Sequence, residues 1–505
     1  MITADVKVSS VLDRLVITPR QVSDSHGLSG ILRNTFAKIR LHQSAEGVWI
    51  EAKDAHAFFN AAVPLDLRWS PEASAFVENR HRARQIHNKI QEEIRHILSG
   101  GKDTARDYLA DIKGIEALDD HQWVNVASMT IPESFGLCLF DEQGAGKTVS
   151  LIFAYDVLVA RDQIDFALIV APKSMVPEWL NDFNRFKGDL YRVGLFIGSR
   201  RDKRAALASG SDVLITNFES TVSMEHELRS LLQSFKRRVM IVVDESFFIK
   251  NLNAKRTCAL RRLREWCSRA FVLCGTPAPN TPHDLIQQFN ITDFGLTFDG
   301  VDVPKDIVPS RPIVQQAIEE RGLFVRHLKT DVLPGLPLKR FHRVLVPLQP
   351  QQERLYEAAL RDLILDLRSI DDGTFQRRIA SFFAKRSILL QICSNPTTVI
   401  EGYEEVPAKL DALDSLLEES IMQKREKVVL WSFYTASIDG IMVRYTQYHP
   451  VRYDGTISAV ADRREAVRKF QEDNKTMLFV ANPAAAGAGL TLHRARIAEI
   501  GRAHV

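Results

Sequence analysis

The chain has 505 residues, of which 45% are hydrophobic and 26% charged, a composition that excludes disorder for the chain as a whole and leaves room for about three domains. Lysine and arginine number 66 against 63 acidic residues, a net charge of +3, too small by itself to imply a nucleic-acid or membrane partner. No apolar run reaches the roughly 18 residues of a membrane-spanning helix, the opening MITADVKVSS does not read as a secretory signal, and the five cysteines form no CxxC pair, so the expected compartment is the reducing cytoplasm of a bacterium or phage-infected cell.

Residues 1–110 read as a small accessory α+β domain. Phe36–Leu41 and Val48–Glu51 look like strands, and Glu78–Leu98 reads as a long helix rich in both charges, basic and solvated. SGGKD at Ser99–Asp103 reads as a turn or linker. Over 111–300 short apolar runs alternate with helical stretches: GLCLF at Gly136–Phe140, ALIVAP at Ala167–Pro172, VLIT at Val213–Thr216, VMIVVDE at Val239–Glu245 and FVLCGTP at Phe271–Pro277. Continuous runs of this kind mark a parallel sheet buried on both faces. Residues 301–405 read as mainly helical, with helical apolar spacing in Arg354–Ser369 and Gln376–Ile392. The α/β rhythm returns over 406–498, in VVLWSF at Val428–Phe433, VRYDG at Val451–Gly455 and MLFVA at Met477–Ala481. The expected class is therefore α/β, with two parallel sheets flanked by helices.

FDEQGAGKT at Phe140–Thr148 follows an apolar strand and precedes the helical VSLIFAYDVL. That is the context of a phosphate loop. Small residues at Gly144, Ala145 and Gly146 let backbone N–H groups approach phosphates at a helix start. Lys147 can reach the β and γ phosphates of ATP, and Thr148 offers a hydroxyl to Mg2+. Asp141 stands where the full GxxxxGK[ST] pattern has its first glycine. VMIVVDESFFIKN at Val239–Asn251 ends an apolar run in two carboxylates. Asp244 there could hold Mg2+, and Glu245 could orient or deprotonate the attacking water. The alternatives are a fortuitous turn and an acidic pair that only caps a helix.

These motifs, in this order, resemble the superfamily-two helicase-like ATPases, and within them the Swi/Snf family of DNA translocases, over about Leu118–Ala495. LDDHQWVNV at Leu118–Val126 resembles the adenine-recognition segment, with Gln122 in the glutamine position. DEQGAGKT resembles DxMGxGKT, with Gln143 in place of methionine. APKSMVPEW at Ala171–Trp179 and ITNFES at Ile215–Ser220 resemble later motifs of the first lobe. LCGTPAPN at Leu273–Asn280 resembles LTGTPxxN, giving Gly275, Thr276 and Pro277 an implied coupling role. RHLKTDVLPGLPLK at Arg326–Lys339 resembles the family's linker, and LLQICSNP at Leu389–Pro396 resembles LRQICNHP, the string that selects Swi/Snf over DEAD-box enzymes. VVLWSFYTASID at Val428–Asp439 and DGTISAVADRREAVRKF at Asp454–Phe470 resemble motifs of the second lobe. AAAGAGLTLHRA at Ala484–Ala495 resembles AGGxGLNLTxA, with Gly487, Gly489 and Thr491 in coupling positions. Phe247 departs from the histidine of DEAH, and Thr491 and His493 from the usual Asn and Thr.

The resemblance implies two RecA-like lobes with helical insertions, ATP and Mg2+ between the lobes, and sequence-nonspecific double-stranded DNA as partner. It implies an ATP-dependent DNA translocase or remodeller whose ATP hydrolysis is stimulated by DNA, with protein partners in a repair or defence complex and a lean towards the annealing-helicase branch. A strand-separating helicase, the motor of a restriction or phage-defence complex, and a nucleotide-binding scaffold without turnover are the alternatives. RRDKR at Arg200–Arg204 and RRLRE at Arg261–Glu265 read either as phosphate contacts or as solvated helix faces. The family's QxxGRxxRxGQ motif is not found before Val505. EIGRAHV at Glu499–Val505 is what the start of a widely used sequencing adapter encodes, so 499–505 are expected to be adapter read-through, with the natural gene continuing from about Ala498 and the present 505 residues poorly active because that motif is absent.

Overall fold

The computed structural model describes every residue except 1, 9–13, 36–40, 45–46, 52–54, 61–64, 334, 338, 369–371, 458–459, 487–489, 491 and 502–505. Two compact units are present, Met1–Pro337 and Leu338–Val505.

The first unit opens with strands β1 (Thr3–Val8), β2 (Arg14–Pro19), β3 (Leu41–Ser44), β4 (Gly47–Glu51) and β5 (Asp66–Trp69). They form one sheet in the order β3-β4-β2-β1-β5, antiparallel except for the β1–β5 pair. Alternation puts Ala4, Val6, Leu15, Ile17, Val48 and Ile50 on the buried face, where Leu28 and Leu32 of the helix Ser25–Thr35 cover them. Of the stretch expected as a strand at Phe36–Leu41, only Leu41 lies within the described residues.

The helix Pro71–Tyr108 is capped by Ser70, whose Oγ accepts the Ala73 N–H at 3.2 Å. Its first turns bury Ala73 and Val77 in the N-terminal core, while Ile90, Ile94, Ile97 and Ala105 join the core of the next domain. The break expected at SGGKD is present: Gly101 (φ 62°, ψ −144°) leaves helical geometry and kinks the chain between two helical segments. The second segment stays on the same core as the first, because Ala105 and Leu109 bury with Ile97. One expectation needs correction: the helix is not merely solvated, since His87 Nε2 lies 3.0 Å from buried Asp293 Oδ2, and Arg80 donates to Asp299 Oδ1 at 2.9 Å.

A seven-stranded, all-parallel sheet follows: β6 (Gly136–Leu139), β7 (Phe166–Ala171), β8 (Val193–Phe196), β9 (Val213–Asn217), β10 (Val239–Asp244), β11 (Arg269–Leu273) and β12 (Phe324–Val325). The order is β12-β6-β11-β10-β7-β9-β8. Strands β6, β7, β9, β10 and β11 are buried along their whole length, as their uninterrupted apolar runs require. β12 comes from the segment expected to be mainly helical; the helix Ile307–Arg321 precedes it.

The second unit has the helices Pro350–Arg368 and Asp372–Ser394, packed on each other, and a four-stranded parallel sheet. Its strands are β13 (Lys427–Trp431), β14 (Val451–Tyr453), β15 (Leu478–Ala481) and β16 (Ala495–Ile500), in the order β14-β15-β13-β16. The helices Ala408–Leu417 and Thr435–Arg444 supply Leu413, Leu417, Ile438 and Ile441 to its core.

Candidate nucleotide site

The order β6-β11-β10 sets three loops side by side at the carboxyl ends of neighbouring strands. Leu139 pairs with Leu273, and Leu273 with Asp244. The phosphate loop, the Gly275–Pro277 loop and the Asp244–Glu245 pair therefore leave the sheet at one level, where open α/β sheets gather ligands.

The phosphate loop turns on Gly144 (φ 79°) and Gly146 (φ 78°), backbone that residues with a Cβ rarely adopt. A side chain there would also displace the tip of a neighbour. A Cβ on Gly146 would stand 2.3 Å from Gln122 Nε2, and one on Gly144 2.9 Å from Lys329 Nζ. Gln122 fixes its own amide by accepting the Asp119 N–H at Oε1 (2.9 Å). Ala145 is buried, with its carbonyl oxygen 2.7 Å from His121 Nε2. Lys147 and Thr148 begin the helix Lys147–Ala160, both half-buried. Lys147 Nζ donates to the carbonyl oxygens of Asp141 (2.9 Å) and Glu142 (3.2 Å).

Asp244 Oδ1 accepts the Glu245 N–H, and its Oδ2 accepts the indole N–H of Trp179, both at 2.8 Å. Burial pushes the Asp244 carboxyl above the ordinary carboxylate range, against those two donors and the Lys147 ammonium. Burial, then the neighbouring Asp244 charge, push Glu245 up to about 7, with Lys147 opposing. Glu245 sits at φ 47°, ψ 55°, a strained left-handed conformation for a residue with a side chain. Its Oε2 is buried and has no hydrogen-bond partner among the described residues, which leaves a polar atom that none of them satisfies. Thr148 and Asp244 present hard oxygens of the kind Mg2+ takes beside phosphate ligands.

Several side chains that brace this site stand in the quoted strings, but sequence reasoning gave them no role. Trp179, fully buried, holds Asp244. Asn125 donates to Asp141 Oδ2 at 2.6 Å. The segment leaving β12 lies along the phosphate loop: His327 N–H donates to Asp141 Oδ1 (2.7 Å), Lys329 N–H to Glu142 Oε2 (2.8 Å), and Glu142 N–H to His327 O (3.1 Å). His121 and His327 meet edge to face at 5.6 Å. The removal of one brace has a measurable consequence. Trp179→Phe takes the indole donor from a buried carboxylate, so unfolding of the first unit should be easier by ~1–3 kcal/mol. Denaturant melts read this directly, and an unchanged midpoint would show that the bond contributes nothing.

Among the residues with an expected coupling role, Gly275 lies against the phosphate loop: a Cβ there would be 2.6 Å from Gln143 Cγ. Thr276 is exposed and Pro277 buried. Gly487, Gly489 and Thr491 lie outside the described residues. The stretch RRLRE is not a uniform surface. Arg264 is buried and donates to the carbonyl oxygens of Phe135, Cys267, Ile291 and Thr292 at 2.6–3.1 Å, and Arg262 pairs with Glu225 at 2.5 Å. Arg264 therefore cannot touch DNA.

The family model of the SNF2-related domain matches residues 50–398. The chain belongs to this family. Within the SNF2-related family it is similar to the putative ATP-dependent helicase/translocase YwqA of Bacillus subtilis, 29% identical over 382 residues, covering 71% of this chain and 40% of that protein. It is also similar to the ISWI chromatin-remodeling complex ATPase CHR11 of Arabidopsis thaliana, 26% identical over 387 residues, covering 71% of this chain and 35% of the relative. The chain thus spans between a third and two fifths of the length of these curated relatives. Among solved structures it is similar to the Sulfolobus solfataricus SWI2/SNF2 ATPase core in complex with dsDNA, at 20% identity and a TM-score of 0.38, covering 76% of this chain and 87% of that one. Among the described residues, no helix is long and apolar enough to cross a membrane.

Proposed function

We propose that this SNF2-family chain is the motor of an ATP-dependent translocase or remodeller acting on double-stranded DNA. The observation that carries the reading is the meeting of Lys147, Asp244 and Glu245 beside the phosphate loop, from strands far apart in sequence. In this reading the N–H groups of Gly144, Ala145 and Gly146 and the helix start hold the phosphates. Lys147 exchanges the carbonyls of Asp141 and Glu142 for phosphate oxygens. Thr148 and Asp244 hold Mg2+, whose chemistry is to neutralise charge on the phosphates. Gln122, beside the loop at Gly146, reads the adenine. Glu245 orients a water and takes its proton as the oxygen bonds to the γ-phosphorus and the bond to the β-phosphate oxygen breaks, releasing ADP and phosphate. Gly275, Thr276 and Pro277, with Gly487, Gly489 and Thr491, couple this step to DNA. The names of the relatives, a helicase/translocase and a chromatin-remodeling ATPase, support the DNA reading.

The test is ATP turnover with and without duplex DNA. Hydrolysis should rise with duplexes of any sequence, and the DNA affinity should fall steeply with salt, because phosphate neutralisation releases counterions. Stimulation by single-stranded RNA alone would overturn the assignment. Strand displacement on a forked duplex would identify a separating helicase, and ATP binding without turnover a scaffold.

A further inference from the structure

The histidine of DEAH is absent, since Phe247 occupies that position and stacks on Phe248 with ring centroids 4.7 Å apart. A phenyl ring cannot carry a hydrogen bond from the acidic pair to the neighbouring loop. The structure places such a connection one residue earlier and on another element. Ser246, the residue after Glu245, donates its Oγ–H to Gln288 Oε1 at 2.6 Å. Gln288, on the helix Ile286–Asp293, donates its Nε2 hydrogens to Pro277 O at 2.6 Å and Asp284 O at 2.8 Å. Ser246 and Gln288 are wholly buried. Asp284 in turn accepts the N–H groups of Asn280 (3.1 Å) and Thr281 (3.4 Å), and Lys250 Nζ stands 3.8 Å from its Oδ2. One amide thus ties the turn after the acidic pair to the loop after β11.

Resting on the ATPase reading above, we propose that Gln288 is a positioning residue that makes Glu245 and the Gly275–Pro277 loop move as one unit. Glu245 holds a left-handed backbone that persists only when its surroundings fix it. The Glu245 N–H is held by Asp244 Oδ1 on one side, and the Ser246–Gln288 bond holds the chain on the other. A displacement of Pro277 therefore passes through a saturated, buried amide to the residue that carries Glu245. Because the amide has both donors and its acceptor engaged, it cannot rotate without breaking a bond that no water replaces. The phosphate loop receives none of these three bonds, so their loss leaves the hydrogen bonds of that loop in place.

Gln288→Met, which keeps length but makes no hydrogen bonds, and Ser246→Ala, which deletes one hydroxyl, test this singly and together. ATP turnover with duplex DNA and ATP affinity are measured for each in the natural full-length protein, beside wild type. The expected result is a turnover about 10- to 100-fold lower for Gln288→Met, the effect of misplacing a reacting group, with ATP affinity within about 2-fold of wild type. Ser246→Ala should fall in the same direction, and the double variant should be no worse than Gln288→Met, because both delete one relay. Unchanged turnover, additive losses, or a parallel fall in ATP affinity and turnover would overturn the proposal, the last showing a mere packing role. Absence of DNA-stimulated turnover in wild type would instead overturn the ATPase reading on which it rests.

Discussion

Glu245→Gln should lose about 10²- to 10⁴-fold in turnover while still binding ATP and DNA. Glutamine keeps the shape of the side chain but accepts no proton, so the attacking water has no base. The pH profile gives a second readout of the same group. Burial and Asp244 raise the Glu245 carboxyl from 4.5 to about 7, so it is protonated and inactive in free enzyme below that pH. kcat/KM should therefore climb about tenfold per pH unit up to about 7 and then level. The stability effect has the opposite sign. The folded state holds this proton more tightly than the unfolded chain, so its contribution is fully present below 4.5 and is lost as pH rises through about 7. At pH 8 the fold carries an ionised, buried carboxylate, a strain on the order of 3 kcal/mol. Glu245→Gln should then unfold later than wild type at pH 8 and close to it at pH 4. Undiminished turnover, or a variant no more stable at pH 8, would remove Glu245 from the role of base or the burial from the cause.

The readable parts of this site were those in which chemistry and local structure coincide. The strand, the small residues and the helix of the phosphate loop are contiguous from Gly136 to Ala160. Likewise the apolar run of β10 delivers Asp244 and Glu245 directly. The central parallel strands were legible because burial on both faces demands unbroken apolar runs. The edges escaped for the converse reason. β8 is partly exposed and contains Gly194, and β12 is two residues long, so neither shows a period. The glycine pair at Gly100 and Gly101 was legible as punctuation, because Gly101 does leave helical geometry, whereas the burial of Ala105 and Leu109 beyond it in the same core as Ile97 was not.

The braces were illegible for another reason: each acts on a residue far away in the chain. Trp179 stands inside a recognisable motif, yet nothing in that string says that its indole reaches Asp244. His327 and Lys329 stand in the linker string, and only the pairing of β12 with β6 lays them along Asp141 and Glu142. Gln288 belongs to no quoted motif and becomes visible once Ser246 and Pro277 are seen to share it.

Lys147→Ala should weaken ATP binding about 10-fold or more. Without nucleotide the ammonium rests on two carbonyls of its own loop, so binding exchanges neutral acceptors for anionic phosphate oxygens. Contacts of that charge-assisted kind contribute ~1.5–3 kcal/mol each. Loss of the fold does not explain such a result, because alanine is the best helix former at the start of Lys147–Ala160 and the deleted tip is only half-buried. The same substitution removes the positive field that opposes the upward shift of Glu245. In the Glu245 profile the rising limb of kcat/KM should therefore move to higher pH in Lys147→Ala, a displacement that a purely steric effect would not produce. Titration calorimetry supplies the affinity and the pH series the displacement. An unchanged affinity would take this loop out of the nucleotide site, and a weakened affinity with an unmoved limb would leave Lys147 as a phosphate ligand that does not govern Glu245.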